Sequence, residues 1–183
     1  MIRRLLALSA LLCCIVAPVH AADYVQAPGS TLAFGGMYQG EAFAGVFPEF
    51  ATTLSFDPAK PTQCRLDVTI GIASATTKNP DYDSELRDAS FLDSARFPQA
   101  RYRASTCRSL GDNRYAADGT LSLHGVEKPV TLEFTWTPGA QPVLIGKATV
   151  PRLAFGVGAG DWADTDLIPD PIAISTRVLL TPR

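Results

Sequence analysis

The chain has 183 residues, 46% of them hydrophobic and 19% charged, with a formal net charge of −2. That apolar content excludes a disordered chain, and the lack of a basic excess argues against a nucleic-acid binder. The length suits one domain, and Gly and Pro, at 14 each, point to many turns.

Residues 1–21 read as a secretory signal peptide. Arg3 and Arg4 supply the positive start, Leu5 to Val16 form a short apolar run, and Val19-His20-Ala21 offers small residues before a cleavage site. The run is shorter than the roughly 20 residues a membrane span needs. Cleavage after Ala21 would leave 162 residues with a net charge of −4, two cysteines, and His124 as the only histidine. The exported domain then spans 22–183, periplasmic or secreted, with no stable membrane span.

Eight runs alternate apolar and polar positions, each the mark of a strand with one buried face. In chain order they are 31–34; Thr52, Leu54 and Phe56; Leu66, Val68, Ile70 and Ile72; 99–107, carrying Tyr102; Tyr115 to Leu123; Val130, Leu132, Phe134 and Trp136; Leu144 to Val150; and Ile172, Ile174, Thr176, Val178 and Leu180. Asp57-Pro58, Gly111-Asp112-Asn113, His124-Gly125 and Pro138-Gly139 separate several of them as turns. Asp83 to Asp93 breaks the pattern. Asp83 fits a helix N-cap, and Leu86 and Phe91 would face inward from one or two helical turns.

In an oxidising compartment Cys64 and Cys107 are expected to form a disulfide. Cys64 opens one predicted strand and Cys107 closes the next. Cys64 is in phase with the inner positions Leu66, Val68 and Ile70. Cys107 is out of phase with Tyr102 and Ala104, so the pairing calls for a bulge or a frayed strand end. Eight strands with one apolar side each fit a β-sandwich or a closed up-and-down barrel.

Several blocks resemble the YceI-like family of exported bacterial barrels. They are Gly45-Val46-Phe47, Phe50 to Pro58, Leu66 to Ile70 with Ala73-Ser74, Glu85 to Pro98, Gly119 to Val130, and Arg152-Leu153-Ala154-Phe155-Gly156-Val157-Gly158. The chain departs from the family pattern at Gly29 to Phe34, where a His is common, and at Pro151 and Ala154, which flank Arg152 in place of Asn and Asp. The resemblance implies an all-β, lipocalin-like, eight-stranded antiparallel β-barrel with one short helix. It also implies binding, not catalysis: a long amphiphilic, isoprenoid-like or quinone-like molecule held inside the barrel, as ligand and not cofactor. The expected lining and mouth are Phe34, Leu54, Phe56, Val68, Ile70, Leu86, Phe91, Phe97, Tyr102, Leu121, Phe134, Trp136, Trp162, Ile174 and Val178. The same residues could instead fill a dry core, which would leave a stress-related interaction or inhibitor module. The expected partner is a hydrophobic small molecule or lipid, and a homodimer is compatible with such a domain.

The remaining polar features give weak chemical signals. His124 lacks the neighbours of a catalytic triad, no G-x-S-x-G elbow is present, and a turn-stabilising role is expected for it. Asp161, Asp164 and Asp166 lack the EF-hand spacing and read as a solvated loop, so no metal is expected. Arg87 and Asp88 read as a local surface ion pair. Trp162, in the loop from Gly158 to Pro169, is expected to cover the barrel mouth.

Overall fold

The computed structural model describes residues 22–183. The signal-peptide assignment for 1–21 lies outside them. Eleven strands occur in chain order: β1 (Ala22–Gln26), β2 (Thr31–Tyr38), β3 (Glu41–Val46), β4 (Phe50–Phe56), β5 (Arg65–Gly71), β6 (Gln99–Ala104), β7 (Cys107–Gly111), β8 (Arg114–Leu123), β9 (Val126–Thr137), β10 (Val143–Pro151) and β11 (Pro171–Pro182). One α-helix, α1 (Pro80–Arg87), sits between β5 and β6.

The sheet closes on itself. β1, β4, β5, β6, β8, β9, β10 and β11 follow one another, all antiparallel, and β1 pairs back onto β11. The extra strands continue ring members past a bend. β2 runs on from β1 along the same edge of β11, at Ala173 to Arg177, while β1 takes Leu180 to Pro182. β3 and β4 together form the returning arm of that hairpin. β6 and β7 both pair with β8. The result is the eight-stranded antiparallel barrel with one helix that the family resemblance implied, rather than a sandwich.

The bends have local causes. At Ala27 to Ser30, Pro28 has no N–H to give a ladder and Ser30 Oγ donates to Ala27 O at 2.8 Å. Ser105-Thr106 interrupts the ladder between β6 and β7. Partner positions on β8 shift by one residue across it, from Arg103 opposite Thr120 to Cys107 opposite Ala117. That shift lets both Ala104 and Cys107 face inward. Cys107 therefore opens β7 instead of closing the preceding strand, and it bonds to Cys64 with a Cα–Cα distance of 5.5 Å.

The helix begins earlier than the sequence suggested. Asn79 is the N-cap, its side chain accepting from Asp81 N at 3.1 Å, and Pro80 occupies the first turn, where its missing N–H costs nothing. Asp83 lies inside the helix. Asp88 ends the helix, and its side chain accepts from Ser90 N; Arg87 Nε donates to Asp83 O at 2.8 Å. The Arg87–Asp88 ion pair expected from the sequence is therefore not formed.

The two halves of the interior differ. At the end holding β1, the disulfide and the C-terminal part of β11, aromatic rings fill the barrel. Phe56 lies 4.9 Å from Tyr115, 5.6 Å from Phe134 and 5.2 Å from Trp136 between ring centroids, and Tyr24 covers Trp136 at 5.3 Å. Leu54, Leu180 and both cysteines are buried with them. At the other end, under α1, the tip of the β2–β3 hairpin and the segment 152–170, the strands enclose a cavity.

Candidate functional site

The cavity measures about 210 Å³. Its wall comes from the upper halves of the ring strands, with Phe43 and Phe47 from the hairpin arm, Leu86 from α1, and Phe91 and Leu92 from the turns after it. Hydrocarbon dominates because period-two alternation puts nearly every inward position of these strands in apolar hands. The polar exceptions are few. Tyr102 donates its single hydroxyl hydrogen to Ala117 O at 2.7 Å, with Val130 O as a second, longer acceptor at 3.1 Å. Burial pushes its pKa up to about 12. Gly119 makes room for it, since a Cβ there would sit 2.5 Å from the tyrosine ring. Thr52 is 3% exposed, and its Oγ1 has no hydrogen-bond partner.

Arg152 is the third polar exception. Only 2% exposed, it is held by backbone carbonyls alone. Nε donates to Pro169 O, Nη1 to Val157 O and Gly158 O, and Nη2 to Trp162 O and Ile168 O, at 2.7–3.3 Å. These bonds use all five guanidinium donors. Burial lowers its pKa and the Asp170 carboxylate opposes the shift. Asp170 itself accepts from Leu153 N at 2.8 Å. The guanidinium thus gathers the segment 152–170 into one fixed shape.

Above the cavity lies a second concavity of about 180 Å³, lined by Tyr38, Glu41, Ala42, Phe43, Thr77, Tyr82, Glu85, Leu86, Phe91, Trp162 and Ile168. Phe43, Leu86, Phe91 and Ile168 line both spaces and stand between them, and this ring of four side chains is the neck. Trp162 packs against Phe91 at 5.3 Å and Tyr38 at 6.4 Å, and Tyr38 meets Tyr82 at 6.5 Å. Backbone hydrogen bonds tie the surrounding segments together: Gln39 N to Leu167 O at 2.9 Å and Gly158 N to Ser90 O at 3.0 Å. The hairpin arm meets the base of the helix through one bridge, Val46 to Thr76. Asp83 secures that base. Its carboxylate accepts from Thr76 Oγ1 at 2.6 Å and from Thr77 N and Oγ1, and these bonds hold its pKa below the usual carboxylate range.

The structure sorts the residues expected from the sequence. Phe34, Val68, Ile70, Leu86, Phe91, Tyr102, Leu121, Ile174 and Val178 stand on the cavity wall. Trp162 stands in the outer concavity. Leu54, Phe56, Phe134 and Trp136 do not line the cavity; their alternation matches the wall residues, but they lie lower on the strands, in the packed core beneath it. Phe97 is on neither surface. It packs beneath the β8–β9 turn, 4.9 Å from the His124 ring, with the Arg96 guanidinium 5.1 Å from its centroid. His124 holds that turn, with φ of 52° followed by 75° at Gly125, and its Nδ1 lies 3.2 Å from Phe155 O. Among the described residues no cluster of His, Cys, Asp or Glu is arranged to hold a metal ion.

A family model for the YceI-like domain matches residues 24–180. The chain belongs to the YceI-like family. A UPF0312 protein of Pseudomonas savastanoi pv. phaseolicola is 31% identical over 157 residues, covering 79% of this chain and 82% of that protein. Among solved structures, Burkholderia cenocepacia BcnA superposes with a TM-score of 0.79 at 28% identity, over 82% of this chain and 95% of that one. A polyisoprenoid-binding domain from Saccharophagus degradans shares the fold, with a TM-score of 0.68 at 15% identity, over 90% of this chain and all of that one. The neck residue Phe43 and the rim residues Tyr38 and Tyr82 escaped the sequence reading. Glu41 to Val46 carries Ala42, Ala44 and Gly45 and so lacks an alternating signature.

Proposed function

We propose that this YceI-like barrel is an exported carrier that takes up the apolar chain of an amphiphilic or isoprenoid-like lipid. The observation that carries the reading is a hydrocarbon-walled cavity that shares four lining residues with an aromatic-rimmed concavity above it. Each CH₂ moved from water into such a wall gains about 0.8 kcal/mol. At about 210 Å³ the cavity is smaller than the roughly 300–1,000 Å³ of pockets for compact drug-sized ligands. It suits a slim chain segment with the rest of the molecule in the neck and outer concavity. A quinone or polyprenol would place its ring or head group at that rim. The solved polyisoprenoid-binding relative supports this class of occupant, and the Cys64–Cys107 disulfide supports an oxidising compartment. The alternative, a dry interaction module, has no use for an open internal cavity. The reading assigns no catalytic step to any residue.

Protein purified from its native host without detergent should release a lipid on organic extraction, detected by mass spectrometry. Repeated recovery of empty protein that also fails to bind polyprenols or quinones would overturn the reading.

A further inference from the structure

The outer concavity has a charge character of its own. Its lining holds two carboxylates, Glu41 from the hairpin tip and Glu85 from α1, and no lysine or arginine. Neither carboxylate forms an ion pair among the described residues; Glu85 accepts only from Ser90 Oγ, at 3.2 Å. The nearest cations in the chain do not line it. Lys78 follows Thr77 without reaching the surface of the concavity, and Arg87 turns its Nε back onto the helix carbonyl of Asp83. Arg152, on the inner wall, has no free donor.

Between the two acids stand aromatic faces. Centroid spacings of 6.4 Å for Tyr38–Trp162 and 6.5 Å for Tyr38–Tyr82 let one cation lie within about 6 Å of two rings together, the reach of cation–π attraction. The four neck residues also border the inner cavity, where the buried, unpartnered hydroxyl of Thr52 stands on a mostly apolar wall. A buried donor without a partner carries a penalty that a bound group relieves. It marks the inner cavity beneath the rim as one shaped for an occupant.

We infer that the rim is a head-group site selective for ammonium- or amine-bearing amphiphiles, with Tyr38, Tyr82 and Trp162 supplying ring faces and Glu41 and Glu85 supplying charge. The inference rests on the lipid-carrier reading and narrows it. A phosphate or carboxylate head would meet two like charges and no donor cation. An ammonium head meets opposite charge and two ring faces while its chain passes the neck.

The test is calorimetric titration of the folded protein with dodecyltrimethylammonium, dodecyl maltoside and dodecanoate. Each is used below its micelle concentration, with near-UV circular dichroism confirming that the fold persists. The ammonium probe is expected to bind about five- to tenfold more tightly than the neutral one, and the carboxylate more weakly than either. In the E41Q/E85Q double variant the gap between ammonium and neutral probes should collapse. Glu133→Gln, on the outer face of β9, should leave all three affinities as they were. Equal binding of the three probes, tighter binding of dodecanoate, or a gap that survives E41Q/E85Q would overturn the head-group site while leaving the carrier reading standing. Failure of all three probes to bind would overturn both.

Discussion

At the scale of single residues, the same side-chain type does two different jobs according to depth. Phe56 is 1% exposed and touched by three aromatic rings. Phe56→Ala should therefore cost about 3–5 kcal/mol in urea unfolding. Ile174, on the cavity wall, already borders open space, so Ile174→Ala should cost less than about 2 kcal/mol. A similar loss at both positions would show that the wall is as tightly packed as the core beneath it. Sequence alternation reports only that a residue faces inward. It carries no record of depth along the barrel axis, which is why Leu54, Phe56, Phe134 and Trp136 were indistinguishable from Val68 and Ile70. Asp83 gives a pH prediction. Its folded pKa is depressed by the Thr76 and Thr77 hydrogen bonds. The stabilisation it adds is full above the unfolded carboxylate value and fades as pH falls through the lower folded value. Amide exchange over 76–87 should accelerate more steeply below about pH 4 in the wild type than in Asp83→Asn. Equal acid responses in the two proteins would rule Asp83 out as the cause.

Whole elements differ in how strongly they are fastened. The lower ends of the strands are locked by the ring of ladders and by the disulfide, which closes a loop with a sequence separation of 43. Removing it in C64S/C107S should lower stability by about 4 kcal/mol on the chain-entropy estimate, read from denaturant midpoints. A change below about 1 kcal/mol would show that the ladders alone define that end. The upper end depends on short-range ties. The segment 152–170 has no strand partner over its middle, and the guanidinium of Arg152 takes the place of one. Arg152→Met should strip the five carbonyls of their donor, raise amide exchange and protease cleavage across 152–170, and leave the β8–β9 ladder protected; uniform loss of protection would mean the guanidinium supports the whole barrel instead. Seven of the eight ring strands and the family blocks were legible because each element repeats one local rule; β1 (Ala22–Gln26) was missed because it is five residues long, and the first predicted run, 31–34, is β2. The mouth was less so. It is assembled from segments distant in sequence, the hairpin tip, α1 and the 152–170 segment, and no single window of residues contains it. The phase conflict at Cys107 was legible as a conflict, and the break at Ser105-Thr106 resolves it.

For the molecule as a whole, the barrel is closed at one end and open at the other. The closed end is made of rings that cannot move aside without breaking the core, so Phe56, Tyr115, Phe134 and Trp136 form a fixed block beneath the cavity. A barrel built this way works as a ruler. For a series of saturated chains with one head group, binding should strengthen by about 0.8 kcal/mol for each added CH₂ until the chain end meets the bottom of the cavity, which that block backs, and then stop gaining. Titration calorimetry across such a series would show a break at one chain length, and Leu144→Ala, on the cavity wall opposite Trp136, should move that break to a longer chain. A steady gain with no break would mean that longer chains fold back or leave through the wall.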